Sequence, residues 1–285
     1  MMNNINWLSW LRNSYIWIVL AIIYIPLIII VLLSFTTPSI KGNITSAFDW
    51  NDGSNYLTLT TNQFTDALVN TIIVSIIAVP ISTIIATMTC FGVWHAKAFY
   101  KKLMTASAQT NMMIPDVISG ISLALLFAAT FIPIGFSFGF STIILAHISY
   151  CTPYAIMIIY PRMLKMKKNL ILASYDLGYT KIATFFKIIL PYLLPSIISA
   201  TIIVFAMSFD DFIITKLVGG KVNTIGTEMY SMAKGIKAWA VCFGALMVLL
   251  TILIAALISA NKIIKLKLIN KQTNTRKLKI WNKQV

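Results

Sequence analysis

The sequence predicts an all-α membrane protein with six transmembrane helices, and three observations carry that prediction. Of 285 residues, 58% are hydrophobic and only 11% are charged, with a mean hydropathy of +0.83. The apolar residues gather into six windows almost free of charge, and the basic residues that make the net charge +15 fall between those windows. A water-soluble domain of this length needs far more charged surface, so the composition excludes a soluble enzyme and a nucleic-acid-binding module.

The first window, Tyr15 to Ser34, is uncharged and 20 residues long. It exceeds the apolar core of a cleavable signal peptide and no small-residue cleavage site follows it, so it reads as a retained span. Residues 35–66 are rich in Thr, Asn and Asp and form an extramembrane loop. The remaining windows are 68–94, 105–131, 137–161, 192–216 and 239–261. At about 1.5 Å per residue each is long enough to cross a hydrocarbon layer of about 30 Å. Pro80, Pro115, Pro133 and Pro153 lie in or at the ends of these windows. Kinked helices are expected there, because neighbouring helices can satisfy the carbonyls that proline frees.

Six spans put both termini on one side. That side carries 18 of the 23 Lys and Arg residues: Arg12, three between the second and third spans, six between the fourth and fifth, and eight after the sixth. The other side has Lys41, Lys216, Lys221, Lys234 and Lys237. The excess of basic residues on cytoplasmic segments then places both termini in the cytoplasm of a cell-membrane protein. The chain divides into a cytoplasmic N-terminus (1–14), a transmembrane domain (15–261) and a basic tail (262–285). Cys90, Cys151 and Cys242 are odd in number and lack metal-site spacing, so they are read as packing residues. His95 and His147 do not form a metal pair by spacing or setting, and no metal site is expected.

Between the fourth and fifth spans, residues 162–191 are too many for a hairpin. They read as two short amphipathic helices broken at Gly178, the first ending on Ile171 to Tyr179 and the second on Thr180 to Leu190. The string Ala173-Ser174-Tyr175-Asp176-Leu177-Gly178, followed by Phe185, Lys187-Ile188-Ile189-Leu190-Pro191 and Pro195, resembles the EAA loop of ABC-importer permeases. In that family the loop forms a coupling helix that docks on an ATPase subunit. Here Leu172 stands where the family has the Glu of its triplet, and Ser174 where it has the second Ala. Further stretches are similar to the second permease subunit of spermidine/putrescine importers: Met112-Met113-Ile114-Pro115-Asp116-Val117, His147 with Cys151 and Pro153, Ser208-Phe209-Asp210-Asp211-Phe212, and Met229-Tyr230-Ser231-Met232.

The resemblance implies a type I ABC-importer permease bundle with a cytoplasmic coupling helix. Ala173, Ser174, Asp176, Gly178 and Phe185 would couple it to the ATPase. It implies a second permease subunit, a cytoplasmic ATPase dimer and an extracytoplasmic substrate-binding protein as partners in the lipid bilayer. The chain has no G-x-x-x-x-G-K-[ST] loop to cradle ATP phosphates, so no cofactor is expected on it, and ATP and Mg²⁺ belong to the partner ATPase.

Three acids fall inside the windows. A charge within a span costs about 2.5–3.5 kcal/mol on insertion scales, so such residues usually face a pathway or a partner. On straight helices Asp116 sits near the bilayer centre, whereas Asp210 and Asp211 sit near the outer mouth. Phe205, Phe209 and Phe212 flank the pair and offer aromatic faces to a cation. A polyamine carries ammonium groups separated by methylenes and suits carboxylates spaced along such a path. Import of polyamines into the cytoplasm, with the cation taken by Asp210 and Asp211 and passed toward Asp116, is therefore the expected function. The structural alternative is that Asp116 caps a broken helix and the pair is simply hydrated. A permease for another small cation or organic solute, a secondary carrier and a membrane-embedded Mg²⁺-dependent enzyme are the competing functions. The last two are disfavoured by the lack of an internal hydropathy repeat and of a third carboxylate after Asp211.

Overall fold

Lipid offers no partner to a backbone N–H or C=O, so apolar windows of this length are bound to become helices. The computed structural model describes residues 7–39, 42–44, 49–51, 53–232 and 235–281, with backbone alone for 7–13 and 264–281. Six helices in it are long and apolar enough to cross a membrane. Among the described residues, extended pairing is limited to isolated bridges. Lys41, Lys234 and the basic side chains of the tail from Lys265 onward lie outside what is described.

The chain forms two compact units, one of residues up to 61 with those from 234 on, the other of residues 62–233. In the first unit α1 (Trp7–Leu33) pairs with α11 (Ala238–Trp281). The helix α11 continues for 44 residues, through the stretch read from the sequence as a separate tail. The loop after α1 is tied down by Asn55, whose amide donates to the carbonyls of Ser34 (3.0 Å) and Thr36 (2.5 Å). The buried Cys242 thiol contacts the Ser34 carbonyl as well, at 3.8 Å.

The second unit is built on α2 (Asn62–Trp94), α5 (Phe140–Leu164) and α8 (Leu190–Asp210), which pack on one another. Its core holds large side chains such as Ile143, Ile159, Met163 and Leu193, but the inward face of α2 is different. The buried residues of α2 are mostly small and recur every three or four positions: Ala67, Thr71, Ser75, Ala78, Ser82, Ala86 and Cys90. The bulky Ile76 and Ile84 point outward, 62% and 58% exposed. Association of helices in lipid rests on close van der Waals contact, which small residues permit, while the large aliphatic chains are equally content in lipid. Buried hydroxyls on this face bond back to their own helix, Thr71 to the Ala67 carbonyl and Thr87 to that of Thr83, both at 2.7 Å.

Two expected spans are interrupted. The window 105–131 divides at Ile114-Pro115 into α3 (Ala98–Met113) and α4 (Asp116–Thr130), because proline restricts the residue before it and Ile114 is extended. The fifth window lies earlier than expected. Its helix runs from α7 (Lys181–Thr184) through a π-helical turn, Phe185–Ile189, into α8, which ends at Asp210. The second amphipathic piece of the 162–191 segment is thus the N-terminal end of span five, and only α6 (Lys168–Asp176) stands apart. After Asp211 and Phe212 the chain resumes as α9 (Ile213–Val218), which packs on α4. Gly120 makes that contact possible, since a Cβ there would stand 2.7 Å from Leu217 Cδ1 and 3.4 Å from Ile214 Cα.

The next helix, α10 (Ile225–Ser231), opens with a capping box between Thr224 and Thr227. It is pinned to α2 where the Ile225 N–H donates to Thr71 Oγ1 at 2.9 Å and Gln63 donates to the buried Glu228 at 2.6 Å. Gly226 brings its backbone against the interruption: a Cβ there would lie 2.6 Å from the Asp211 carbonyl oxygen. Gly226→Ala should therefore lower stability by about 1–3 kcal/mol, the usual cost of overpacking. Thermal unfolding in detergent measures it, with Gly92→Ala as the control, since a Cβ at Gly92 meets nothing within 4 Å.

Candidate functional site

The interruption at Asp211 and Phe212 leaves the first N–H groups of α9 without helical partners, next to side chains buried in the protein. Asp211 supplies them. Its Oδ1 accepts from the Ile214 N–H at 3.3 Å, and its Oδ2 accepts from the Thr215 N–H at 2.9 Å and the Thr215 hydroxyl at 2.8 Å. A carboxylate at a helix N-terminus also meets the positive end of the helix dipole.

Behind Asp211 runs a buried polar chain. His147 Nε2 lies 3.0 Å from Thr215 Oγ1 and 3.4 Å from Asp211 Oδ2, and its Nδ1 lies 2.8 Å from Ser208 Oγ. Ser208 Oγ in turn lies 3.2 Å from Ser75 Oγ. All five residues are buried at this point, His147 at 2% exposure and the Asp211 side chain at 7%. Thr215 commits its hydroxyl hydrogen to Asp211, so His147 Nε2 donates to Thr215. His147 Nδ1 and Ser208 Oγ share a second hydrogen bond, and Ser208 and Ser75 a third. One histidine thereby joins α2, α5, α8 and α9 with each polar atom satisfied.

In front of the interruption is a cavity of about 360 Å³ lined by Asp116, Tyr150, Ala206, Met207, Asp210, Asp211, Phe212 and Ile213. The three acids singled out in the sequence therefore share one cavity. Straight helices put Asp116 at a different depth from the pair; the breaks at Pro115 and Asp211 bring them to the same space. They are not equivalent. Both oxygens of Asp211 are engaged as described, while Asp116 and Asp210 make no hydrogen bond or ion pair among the described residues, and Asp210 is exposed. Of the aromatic residues, Phe212 lines the cavity and stacks on Tyr230 at 4.8 Å. Phe209 pairs with Phe205 at 5.8 Å and is not part of the lining.

The residues sequence reading passed over are Tyr150, Ser75 and Thr215; Ser208 figured there only in the resemblance, and His147 only in the resemblance and as an unlikely metal ligand. Two signals pointed to them: an ionisable His147 within a span, and the four-residue spacing from Asp211 to Thr215, which suits a cap.

The coupling segment has its own geometry. Ser174 is buried on α6 and its hydroxyl lies 2.9 Å from that of Thr184, fastening α6 to the foot of span five. Gly178 closes α6 with φ of +82°, and its N–H donates to the Tyr175 carbonyl at 2.9 Å. The Leu177 N–H donates to the Ala173 carbonyl at 3.1 Å. Phe185 is buried against the Phe91 ring at 4.8 Å, whereas Ala173 and Asp176 are exposed. Leu172, Leu177 and Ile182 add an apolar surface, exposed by 58%, 76% and 72%.

His147→Phe should cost about 1–3 kcal/mol by stranding Ser208 and Thr215 beside a buried carboxylate. Thermal unfolding in detergent should show the loss, with a smaller one for His147→Gln, whose amide keeps one donor and one acceptor.

Residues 60–261 match the family described as the inner membrane component of binding-protein-dependent transport systems. A spermidine/putrescine transport system permease protein PotC homolog of Mycoplasma pneumoniae is 48% identical over 264 residues, covering 90% of this chain and 92% of that protein. The PotC permease protein of Haemophilus influenzae is 28% identical across 87% and 94% of the two chains. The putrescine permease protein PotI of Escherichia coli K12 is 30% identical across 70% of each. Among solved structures, a bacterial ABC transporter involved in the import of the acidic polysaccharide alginate aligns at a TM-score of 0.66 with 13% identity, covering 92% of this chain and 98% of that one. The MetNI methionine ABC transporter in an inward-facing conformation aligns at 0.55 with 16% identity, over 68% and 94%. With a family match over most of its length and the fold of ABC-importer permeases, this multi-pass membrane chain belongs to the inner membrane component family of binding-protein-dependent transport systems.

Proposed function

We propose that this chain is the permease subunit of an ATP-driven importer whose cargo is a polyamine, with spermidine and putrescine as the candidates. The observation that carries the reading is the pair of unpartnered carboxylates, Asp116 and Asp210, facing one cavity beside Tyr150 and Phe212. A carboxylate and an ammonium about 4 Å apart attract by about 4 kcal/mol at an effective dielectric of 20, so two free carboxylates favour a dication strongly over a neutral solute. Aromatic faces add about 0.5–2 kcal/mol for each ammonium they cover. Asp211 has a positioning role in this scheme. Its charge is balanced by the dipole of α9 and by hydrogen bonds, and it holds Asp210 at the cavity edge. The names of the relatives at 48% and 30% identity support a polyamine over other cations.

In this reading both termini are cytoplasmic, as the distribution of basic residues requires. The exposed apolar surface of α6 and Ile182 docks on a cytoplasmic ATPase, one of a dimer that binds ATP and Mg²⁺. A second permease subunit completes the pathway, and an extracytoplasmic binding protein delivers the cation. Closure of the ATPases pushes α6, and the bond from Ser174 to Thr184 carries the displacement into span five, whose far end is the Asp210 cavity. This is rigid-body switching between two states.

Labelled polyamine uptake at equal membrane abundance tests the cavity. Asp210→Asn and Asp116→Asn should each lower uptake tenfold or more, whereas Asp211→Asn should show first as lower abundance. Unchanged uptake in the first two sinks the reading. For coupling, Gly178→Val forces a β-branched residue into left-handed backbone, at a cost of about 1–2 kcal/mol or more. It should leave ATP hydrolysis by the complex in place while uptake falls, and intact uptake would count against a hinge there.

A further inference from the structure

A second cavity, of about 220 Å³, is lined by Asn111, Ile114, Ile118, Ser119, Ser122, Leu123, Ser149 and Tyr150. Tyr150 also lines the acid cavity, so the two cavities share this side chain. Resting on the polyamine reading above, we propose that this second cavity is a subsite for the third nitrogen of a triamine. Asp116 and Asp210 hold the first two, and the Tyr150 ring lies against the methylene segment between.

The lining suits an ammonium, which is a donor only and needs acceptors. Ser122 has committed its hydroxyl hydrogen to the Ile118 carbonyl at 2.8 Å, so what it turns to the cavity is an acceptor. Asn111 Oδ1 is buried without a hydrogen-bond partner. Such an orphan amide is costly in a dry site and is uncommon where an Asn serves packing alone. Because neither end of the amide is bonded, turning it toward the cavity breaks no hydrogen bond. Ile114, Ile118 and Leu123 supply the apolar walls that methylenes require, and no Lys, Arg or His lines either cavity.

Backbone geometry fixes the spacing of the two subsites. Asn111 lies in the last turn of α3 and Asp116 begins α4, on either side of the same Ile114-Pro115 joint. The difference in charge between the cavities also serves passage. A path whose every station is a carboxylate would hold a trication too well, and transport needs sites weak enough to be left. Neutral acceptors beyond two carboxylates provide a weaker station.

The test uses the whole transporter reconstituted in lipid vesicles, with binding protein and cation saturating so that capture does not limit the rate. Uptake rates of labelled spermidine, a triamine, and putrescine, a diamine, are compared. Asn111→Leu should lower the spermidine-to-putrescine ratio roughly tenfold, the effect of one hydrogen bond to a charged group. Ser119→Ala, which keeps the helix intact, should lower it about twofold to threefold and serves if Asn111→Leu fails to assemble. A ratio unchanged in the assembled variants overturns the subsite, whether both rates stay high or fall together. Asp210→Asn in the same vesicles probes the underlying reading separately: undiminished uptake of both cations there would overturn the polyamine route, a different outcome from an unchanged ratio.

Discussion

A helix that stops beside the buried interior of a protein must find partners for the open backbone groups there, and the helix of span five stops at Asp210, next to the buried Asp211 side chain. Much of the second unit answers that need. Asp211 caps the resumed helix α9 through two N–H groups and a hydroxyl. His147 holds the hydroxyl from α5, and Ser208 and Ser75 hold His147 from α8 and α2. If α9 were simply continuous with α8, none of these buried polar residues would have a reason to be there. Removing any one strands its neighbours at a cost of about 1–3 kcal/mol for each unsatisfied group. The chain of bonds thus makes the interruption affordable to the fold, and the interruption leaves Asp210 at an open helix end.

The same constraint accounts for the small residues where the relay crosses between helices. A relay built of single hydrogen bonds near 3 Å reaches across helices only if their axes lie close. Ala67, Thr71, Ser75 and Ala78 on α2 bring that face near its neighbours, and Ala146 and Cys151 flank His147 on α5 with no bulk of their own. Gly120 and Gly226 do the same for α9 and α10, with backbone in place of side chain. Packing and polarity meet here: the small-residue stripe of α2 includes the point, Ser75, where the relay crosses to it.

Hydropathy made the six spans legible, because an apolar window of about 20 residues has few other fates. It failed at the ends of span five and in the middle of span three. Composition does not distinguish an apolar residue in a long helix from one in a short helix after a break. The Thr180 to Leu190 piece has a strongly apolar face whether it lies along the membrane surface or leads into the span. Only the continuous helix through the π-turn decides between them. In the site, Asp116, Asp210 and Asp211 stood out because carboxylates in apolar surroundings are expensive. Their difference in role was not legible. It depends on Thr215 and His147, and His147 is 64 residues away in sequence, a distance across which no periodicity carries information.

That difference decides what the cavity can take. Counted from sequence, it holds three negative charges and would bind a trication in one place with little reason to release it. In the folded chain Asp211 spends its charge on the α9 dipole, two N–H groups and the Thr215 hydroxyl, which leaves two carboxylates at the surface of the cavity. A dication neutralises these two, and a longer polyamine must place its remaining ammonium elsewhere. Further acceptors line the cavity that shares Tyr150, on Asn111 and the serines. On the proposal that this cavity takes a polyamine, the cap that solves the fold's backbone problem also lowers the charge of the site, and a lower charge is what allows a bound cation to move on.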